Sequence, residues 1–188
     1  MESTNGRVSY LRRVSDDTPI PPLGPDDHVD GPADAPLELV MYGDFQCPYC
    51  AAAQSIVRRV RDRLDGRLRF AFRHMPLPDV HPDAQLAAEA SEAAAAQDAF
   101  WAMHDHLYGA RGRLRFEDLV GHAAALGLDA ERVRSELSDG THAARVARDA
   151  RSAQDAGVQG TPAFFVNGVL HHGAFDAGSL VEALEAAT

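Results

Sequence analysis

The sequence predicts an α/β domain: a central mixed sheet flanked by helices, with a helical subdomain inserted into it. Three observations carry this expectation. A buried-strand run is followed by an amphipathic helix and an alternating strand. A long alanine-rich stretch comes next, and a β-hairpin with a final helix closes the chain.

Residues 1–36 are rich in Pro, Gly and Asp and carry few large apolar groups. Such a segment cannot bury enough surface to order itself, so residues 1–30 are expected to be an extended or disordered tail. Residues 31–188 are then the domain. "LELVMY" (37–42) suits a buried strand, which the glycine and acid of "GDFQ" break. Pro48 falls where the first turn of a helix lacks a partner for its N–H anyway. Ile56, Val57, Val60 and Leu64 share one face of that helix, and Arg58, Arg59, Arg61 and Arg63 form the wet one. Gly66 is a natural stop. "LRFAFRH" (68–74) alternates as a strand does, which completes strand–helix–strand, the unit of parallel pairing.

Residues 83–157 form the helical insertion. "DAQLAAEASEAAAAQDAFWAMHDHLY" has no Gly or Pro, and three shorter helices follow, the last ending at Gly157. Phe100, Trp101 and Tyr108 have the spacing of core packing. Asn167-Gly168 between "AFFV" and "VLHHGA" signals a two-residue hairpin turn. Ser179 and Glu182 fit a capping box for the last helix.

Composition excludes several functions. The 188 residues carry a formal charge of −10, which argues against nucleic acid or an anionic membrane as partner. No run of about 18 apolar residues occurs, so no membrane span is expected. The N-terminus lacks the apolar stretch of a signal peptide, which makes a cytoplasmic location the expectation. Asp26, Asp27 and Asp30 read as solvated tail acids.

The only two cysteines, Cys47 and Cys50, flank Pro48-Tyr49. A zinc site would need two more ligands. His104/His106 on a helix point about 200° apart, and His171/His172 on a strand face opposite sides; no metal is expected. A disulfide across two residues closes almost no loop, so it does little as a staple. As a redox pair the context fits. A strand delivers Cys47 to the start of a helix, whose unpaired N–H groups and dipole favour a thiolate, the nucleophile of disulfide exchange. Cys47 is therefore assigned as the attacking thiol and Cys50, one turn further in, as the resolving one. Thr161-Pro162 stands at the entry to a buried strand, where a proline is unexpected unless it serves a purpose. His74 and His81 flank the loop "MPLPDV" and read as capped or solvated.

"DFQCPYC" followed far downstream by "GVQGTPAFFVNG" resembles the thioredoxin superfamily, in its DsbA-like branch. "RHMPLPDVHPDAQLAAEASEAA" and "FWAMHDHLY" are similar to DsbA-type thioredoxin domains of bacteria, including some attached to sodium/proton antiporters. The resemblance covers about residues 25–188. It implies a thioredoxin fold and a thiol–disulfide oxidoreductase with no bound cofactor. Its partners would be protein or low-molecular-weight thiols and disulfides, with a recycling reductant or oxidant. It also implies a cis Pro162 against the cysteines and a Thr161 backbone that pairs with a bound substrate segment. Two departures matter. Thioredoxin and DsbA carry a buried acid six residues before the first cysteine, and here that position is Met41; neither Glu38 nor Asp44 occupies it. Pro48-Tyr49 replaces the Pro-His of DsbA, so tyrosine supplies no charge to the thiolate, and the pair is expected to be less oxidising. With no visible export signal, reduction of disulfides is favoured over oxidative folding. A non-catalytic redox-sensing module is the alternative. A glutathione-transferase-like relative is disfavoured by the presence of Cys50.

Overall fold

A computed structural model describes residues 18–110 and 112–187. The elements run β1 (His28–Asp30), β2 (Leu37–Gly43), α1 (Pro48–Arg63), β3 (Leu68–His74), α2 (Ala84–Ala95), α3 (Phe100–Gly109), α4 (Phe116–Ala125), α5 (Ala130–Asp139), α6 (Ala143–Asp155), β4 (Ala163–Val166), β5 (Val169–Leu170) and α7 (Ala177–Ala186). The sheet order is β1-β3-β2-β4-β5. β2 pairs parallel with β3 and antiparallel with β4, and β1 runs antiparallel along the β3 edge. This is the thioredoxin fold, a mixed sheet with helices on both faces and α2–α6 inserted between β3 and β4.

The two-residue period of the strands builds two cores. Leu37, Leu39, Met41, Phe70, Phe72, Phe164 and Val166 face one side, against α1, α7 and most of the insertion. Val40, Tyr42, Ala71 and Phe165 face the other, against Ala153 of α6, Ala156 beyond it, and Ile20. Asn167 (φ 47°) and Gly168 (φ 84°) both take the left-handed conformation that a tight hairpin turn between β4 and β5 requires.

Four expectations are corrected. Residues 18–30 are not a tail, since His28–Asp30 form an edge strand and Ile20 is buried; residues 1–17 of that expectation lie outside the described residues. Of the acids of that segment, Asp27 is largely buried against Arg73 at 2.8 Å and is not solvated, whereas Asp26, which meets Arg148 at 3.0 Å, and Asp30, which meets Arg61, stay exposed to solvent. The long alanine-rich helix is two helices, because Asp98 adopts φ 60° and turns the chain between α2 and α3. The cap of α7 is Asp176, whose carboxylate accepts Gly178 N at 2.8 Å and Ser179 N at 3.0 Å, so the Ser179–Glu182 box is not used.

Candidate active site

The β2–β4 pairing sets Tyr42 beside Ala163, so the turn after β2 and the entry to β4 lie side by side. Cys47 comes from the first and Thr161-Pro162 from the second, which explains how residues 114 positions apart meet. Cys47 is the N-cap of α1, with Pro48 at its first turn and no side chain capping the helix. Its free N–H groups and the positive end of its dipole therefore surround the Cys47 sulfur. The Cys47 thiol donates to the Thr161 carbonyl oxygen at 3.4 Å, and the Thr161–Pro162 peptide bond is cis. Both cysteines are free thiols. Cys47 is 3% exposed and Cys50 0%, so the deeper residue is the one assigned to resolve. Burial pushes the Cys50 thiol far above its ordinary value, and a hydrogen bond from the Asp44 backbone only partly opposes it. Tyr49 is 75% exposed, at the rim.

Beside the cysteines lies a groove of about 960 Å³, lined among others by Tyr49, Ile56, Val158, Pro162, Leu170 and Phe175. No arginine is among the described residues that line it. Met41 is fully buried in the same apolar cluster as both cysteines, so the place of the acid named above holds a thioether.

Three residues near the site have roles that the sequence reading does not assign them. Asp44 is a hub: Oδ1 accepts Gln46 N at 2.7 Å and Cys47 N at 3.1 Å, and Oδ2 accepts Leu77 N at 2.9 Å and His81 Nδ1 at 2.8 Å. His81 is therefore held against the active-site turn rather than solvated. Tyr108 reaches the same turn, its hydroxyl 3.5 Å from the Asp44 carbonyl oxygen. The short-range signal for these roles was weak, because each partner is supplied by a distant element.

His74 is fully buried and donates to Glu92 Oε1 at 2.7 Å, which His28 reaches at 2.8 Å. Their three ligand atoms are close enough to suggest a metal. The details fit a hydrogen-bonded node better. Both imidazoles already sit at hydrogen-bond distance from one oxygen, and Arg145 Nε is 3.8 Å from it. His74 Nδ1 is buried with no partner, whereas a ligating histidine almost always donates its other N–H. Burial tends to raise the Glu92 carboxyl, but the hydrogen bonds from His28 and His74 win and hold it far below the usual range. His104 is buried and His106 half-buried, and they do not converge: His104 pairs with Asp105 and His106 with His122.

The family model described as Thioredoxin matches residues 24–186. Among curated proteins, the Na(+)/H(+) antiporter NhaA 1 of Salinispora arenicola is 50% identical over 167 residues, 88% of this chain and 25% of that protein. The corresponding protein of Mycolicibacterium vanbaalenii is 45% identical over 170 residues, 88% of this chain and 27% of that protein. The chain thus spans about a quarter of the length of these relatives. Among solved structures, a thioredoxin-like oxidoreductase from Silicibacter pomeroyi superposes with a TM-score of 0.78 at 29% identity, covering 87% of this chain and 93% of that one. Oxidised BdbD from Bacillus subtilis gives 0.77 at 26%, covering 84% and 90%. No helix among the described residues is long and apolar enough to cross a membrane.

Proposed function

The chain belongs to the thioredoxin family, with the DsbA-like helical insertion, and on that premise we propose that it exchanges disulfides with thiols through Cys47 and Cys50. One observation carries the reading: the Cys47 sulfur sits at the uncapped start of α1, 3.4 Å from the Thr161 carbonyl, with Cys50 buried one turn behind it.

In this reading Cys47 attacks a substrate disulfide as the thiolate and forms a mixed disulfide. Cys50 then attacks the Cys47 sulfur and releases the second substrate thiol. Pro48 starts the helix that presents Cys47, and Tyr49 forms the rim. Thr161 and Pro162 form the wall along which an extended segment lies. The groove favours polypeptide thiols over small charged ones, because its lining is largely apolar and, among the described residues, contains no arginine to hold a carboxylate. No cofactor takes part. The direction of exchange follows the potential of the pair and of its surroundings; a reducing, cytoplasmic setting makes the protein a reductase.

A second reading has support from the relatives, in which a matching region makes up a quarter of an antiporter. A domain of that kind serves as a redox-sensing module on a partner, without turnover. Insulin reduction with a thiol donor separates the two. A catalyst completes many turnovers per protein, and Cys50→Ser accumulates mixed disulfides on Cys47. A protein that stops after one exchange, or forms adducts only at Cys50, removes the catalytic reading.

A further inference from the structure

The active-site turn holds a negative charge close to the place where the chemistry needs another. Asp44 Oδ1 accepts the amide N–H of Cys47 itself at 3.1 Å, and the Asp44 side chain is completely buried. Four donors converge on its two oxygens, the arrangement of an ionised carboxylate. The Cys47 sulfur is only three covalent bonds from the nitrogen that this carboxylate holds. The start of α1 favours a thiolate there, and an unopposed carboxylate works against one.

His81 is placed to settle that balance. Its backbone N–H donates to the Leu77 carbonyl oxygen at 2.8 Å. Two residues on, Asp83 is tied to the same turn: its N–H donates to Gln46 Oε1 at 2.7 Å, and Gln46 Nε2 donates to Asp83 Oδ2 at 3.2 Å. Pinned on both sides, the imidazole gives its Nδ1–H to Asp44 Oδ2 at 2.8 Å. Nδ1 thus donates in either charge state, and the proton that changes the charge is the one on Nε2. The side chain is 19% exposed, so water can supply or remove that proton. The other ionisable groups described about the turn bring no positive charge. Asp83 is a second, half-buried acid, and Asp79 on the His81 loop is exposed. Cys50 is enclosed in α1, and Tyr108 of α3 sets a neutral hydroxyl 3.5 Å from the Asp44 carbonyl oxygen. His104, 5.0 Å behind the Tyr108 ring, is disfavoured as a cation by burial, and His74 faces Glu92.

We propose that His81 is a positioning residue for Cys47: through the Asp44 carboxylate, the charge on its imidazole sets how readily the Cys47 thiol becomes the attacking thiolate. This rests on the reading of Cys47 as the attacking thiol. With Nε2 protonated, imidazolium and carboxylate nearly cancel, and the start of α1 acts on the sulfur unopposed. With Nε2 bare, the hydrogen bond to Asp44 persists, but the carboxylate charge is uncompensated and the thiolate is disfavoured. The protons balance simply. Cys47–SH releases its proton to solvent and gives up its hydrogen bond to the Thr161 carbonyl oxygen, while His81 keeps both of its own.

Iodoacetamide, a neutral reagent, alkylates thiolates, and mass mapping assigns the adduct on the reduced protein. His81→Asn keeps a side-chain N–H near the place of Nδ1 and cannot carry a charge. At about pH 6 Cys47 of this variant is expected to react roughly fivefold more slowly than in the parent protein, and by about pH 9, where imidazoles are neutral, the two rates converge. Coincident profiles overturn the proposal. So does equal slowing at every pH, because His81 would then only hold the shape of the turn. A reciprocal measurement leaves His81 in place. The Cys47 thiolate must in turn hold the proton on His81, so the NMR titration of that imidazole is expected to move to lower pH in Cys47→Ser. An unmoved midpoint also overturns the proposal. A parent protein alkylated at Cys50 and not at Cys47 would instead remove the reading of Cys47 on which this one stands.

Discussion

Asp44 Oδ2 accepts the Nδ1–H of His81 at 2.8 Å, joining the turn before Cys47 to the loop after β3. The Asp44 side chain is completely buried and that of His81 is 19% exposed. Together with Gln46 N, Cys47 N and Leu77 N, the imidazole gives this carboxylate four donors, so one charged group fixes both segments. Asp44→Asn preserves the shape but turns an NH2 group toward two of those donors. It should lower the unfolding free energy in urea by about 2 kcal/mol, the cost of unmaking buried hydrogen bonds to a charged group. It should also slow insulin reduction, as the turn that presents Cys47 loosens.

Glu92 holds β1, β3 and α2 together through His28 and His74, with Arg145 facing it from α6. Removing its charge weakens the hydrogen bonds that both imidazoles donate and turns an amide NH2 toward them, while Arg145 keeps, among the described residues, only Asp149 as its carboxylate partner. Glu92→Gln should therefore cost about 3 kcal/mol at neutral pH.

The same site predicts a pH dependence. The folded carboxyl is held below its unfolded value. Its contribution is therefore complete above the unfolded value of about 4.3 and is lost as pH falls toward the folded one. In that acid range the parent protein should lose about 1.4 kcal/mol per pH unit from this group. Urea titrations at a series of acidic pH values should show a slope shallower by one proton in Glu92→Gln; parallel slopes would contradict the assignment.

The elements legible in the sequence are those whose signal is local. β2, α1 and β3 follow from periodicity, and the hairpin from Asn167-Gly168. β1 was not legible, because three residues reading His-Val-Asp become a strand only by pairing with Phe70–Phe72. The break between α2 and α3 was hidden for another reason. Its left-handed residue is Asp98, one of the few types other than glycine that tolerates the conformation, and tertiary packing selects it there. At the site, Cys47 and Cys50 announce themselves as a motif. Asp44 reaches His81 across 37 residues and Tyr108 reaches the Asp44 carbonyl across 64, separations that no window along the chain spans.

Gly43 is where these distant pieces touch. A Cβ there would approach the Phe72 ring to 2.5 Å and the Tyr108 hydroxyl to 2.9 Å. Phe72 is fully buried and cannot retreat without disturbing the core. Gly43→Ala is expected to cost about 1–3 kcal/mol by overpacking. It should also displace the Tyr108 hydroxyl from the Asp44 carbonyl oxygen, loosening the turn before Cys47 so that insulin reduction slows. Urea unfolding and insulin turnover measure these effects on one preparation.

Tyr49 makes the opposite case, a large ring left 75% exposed beside the groove. It supports little of the fold, so Tyr49→Ala should change stability by no more than about 0.5 kcal/mol. In the proposed function, its ring at the rim would offer a flat apolar surface to a polypeptide bound along Thr161 and Pro162. Losing it should raise KM for a protein disulfide about three- to tenfold with kcat nearly constant, the pattern of lost uniform binding. A small disulfide that reaches Cys47 without occupying the groove should react at the parent rate. Equal losses for both substrates would place Tyr49 in the exchange chemistry itself rather than in holding the polypeptide.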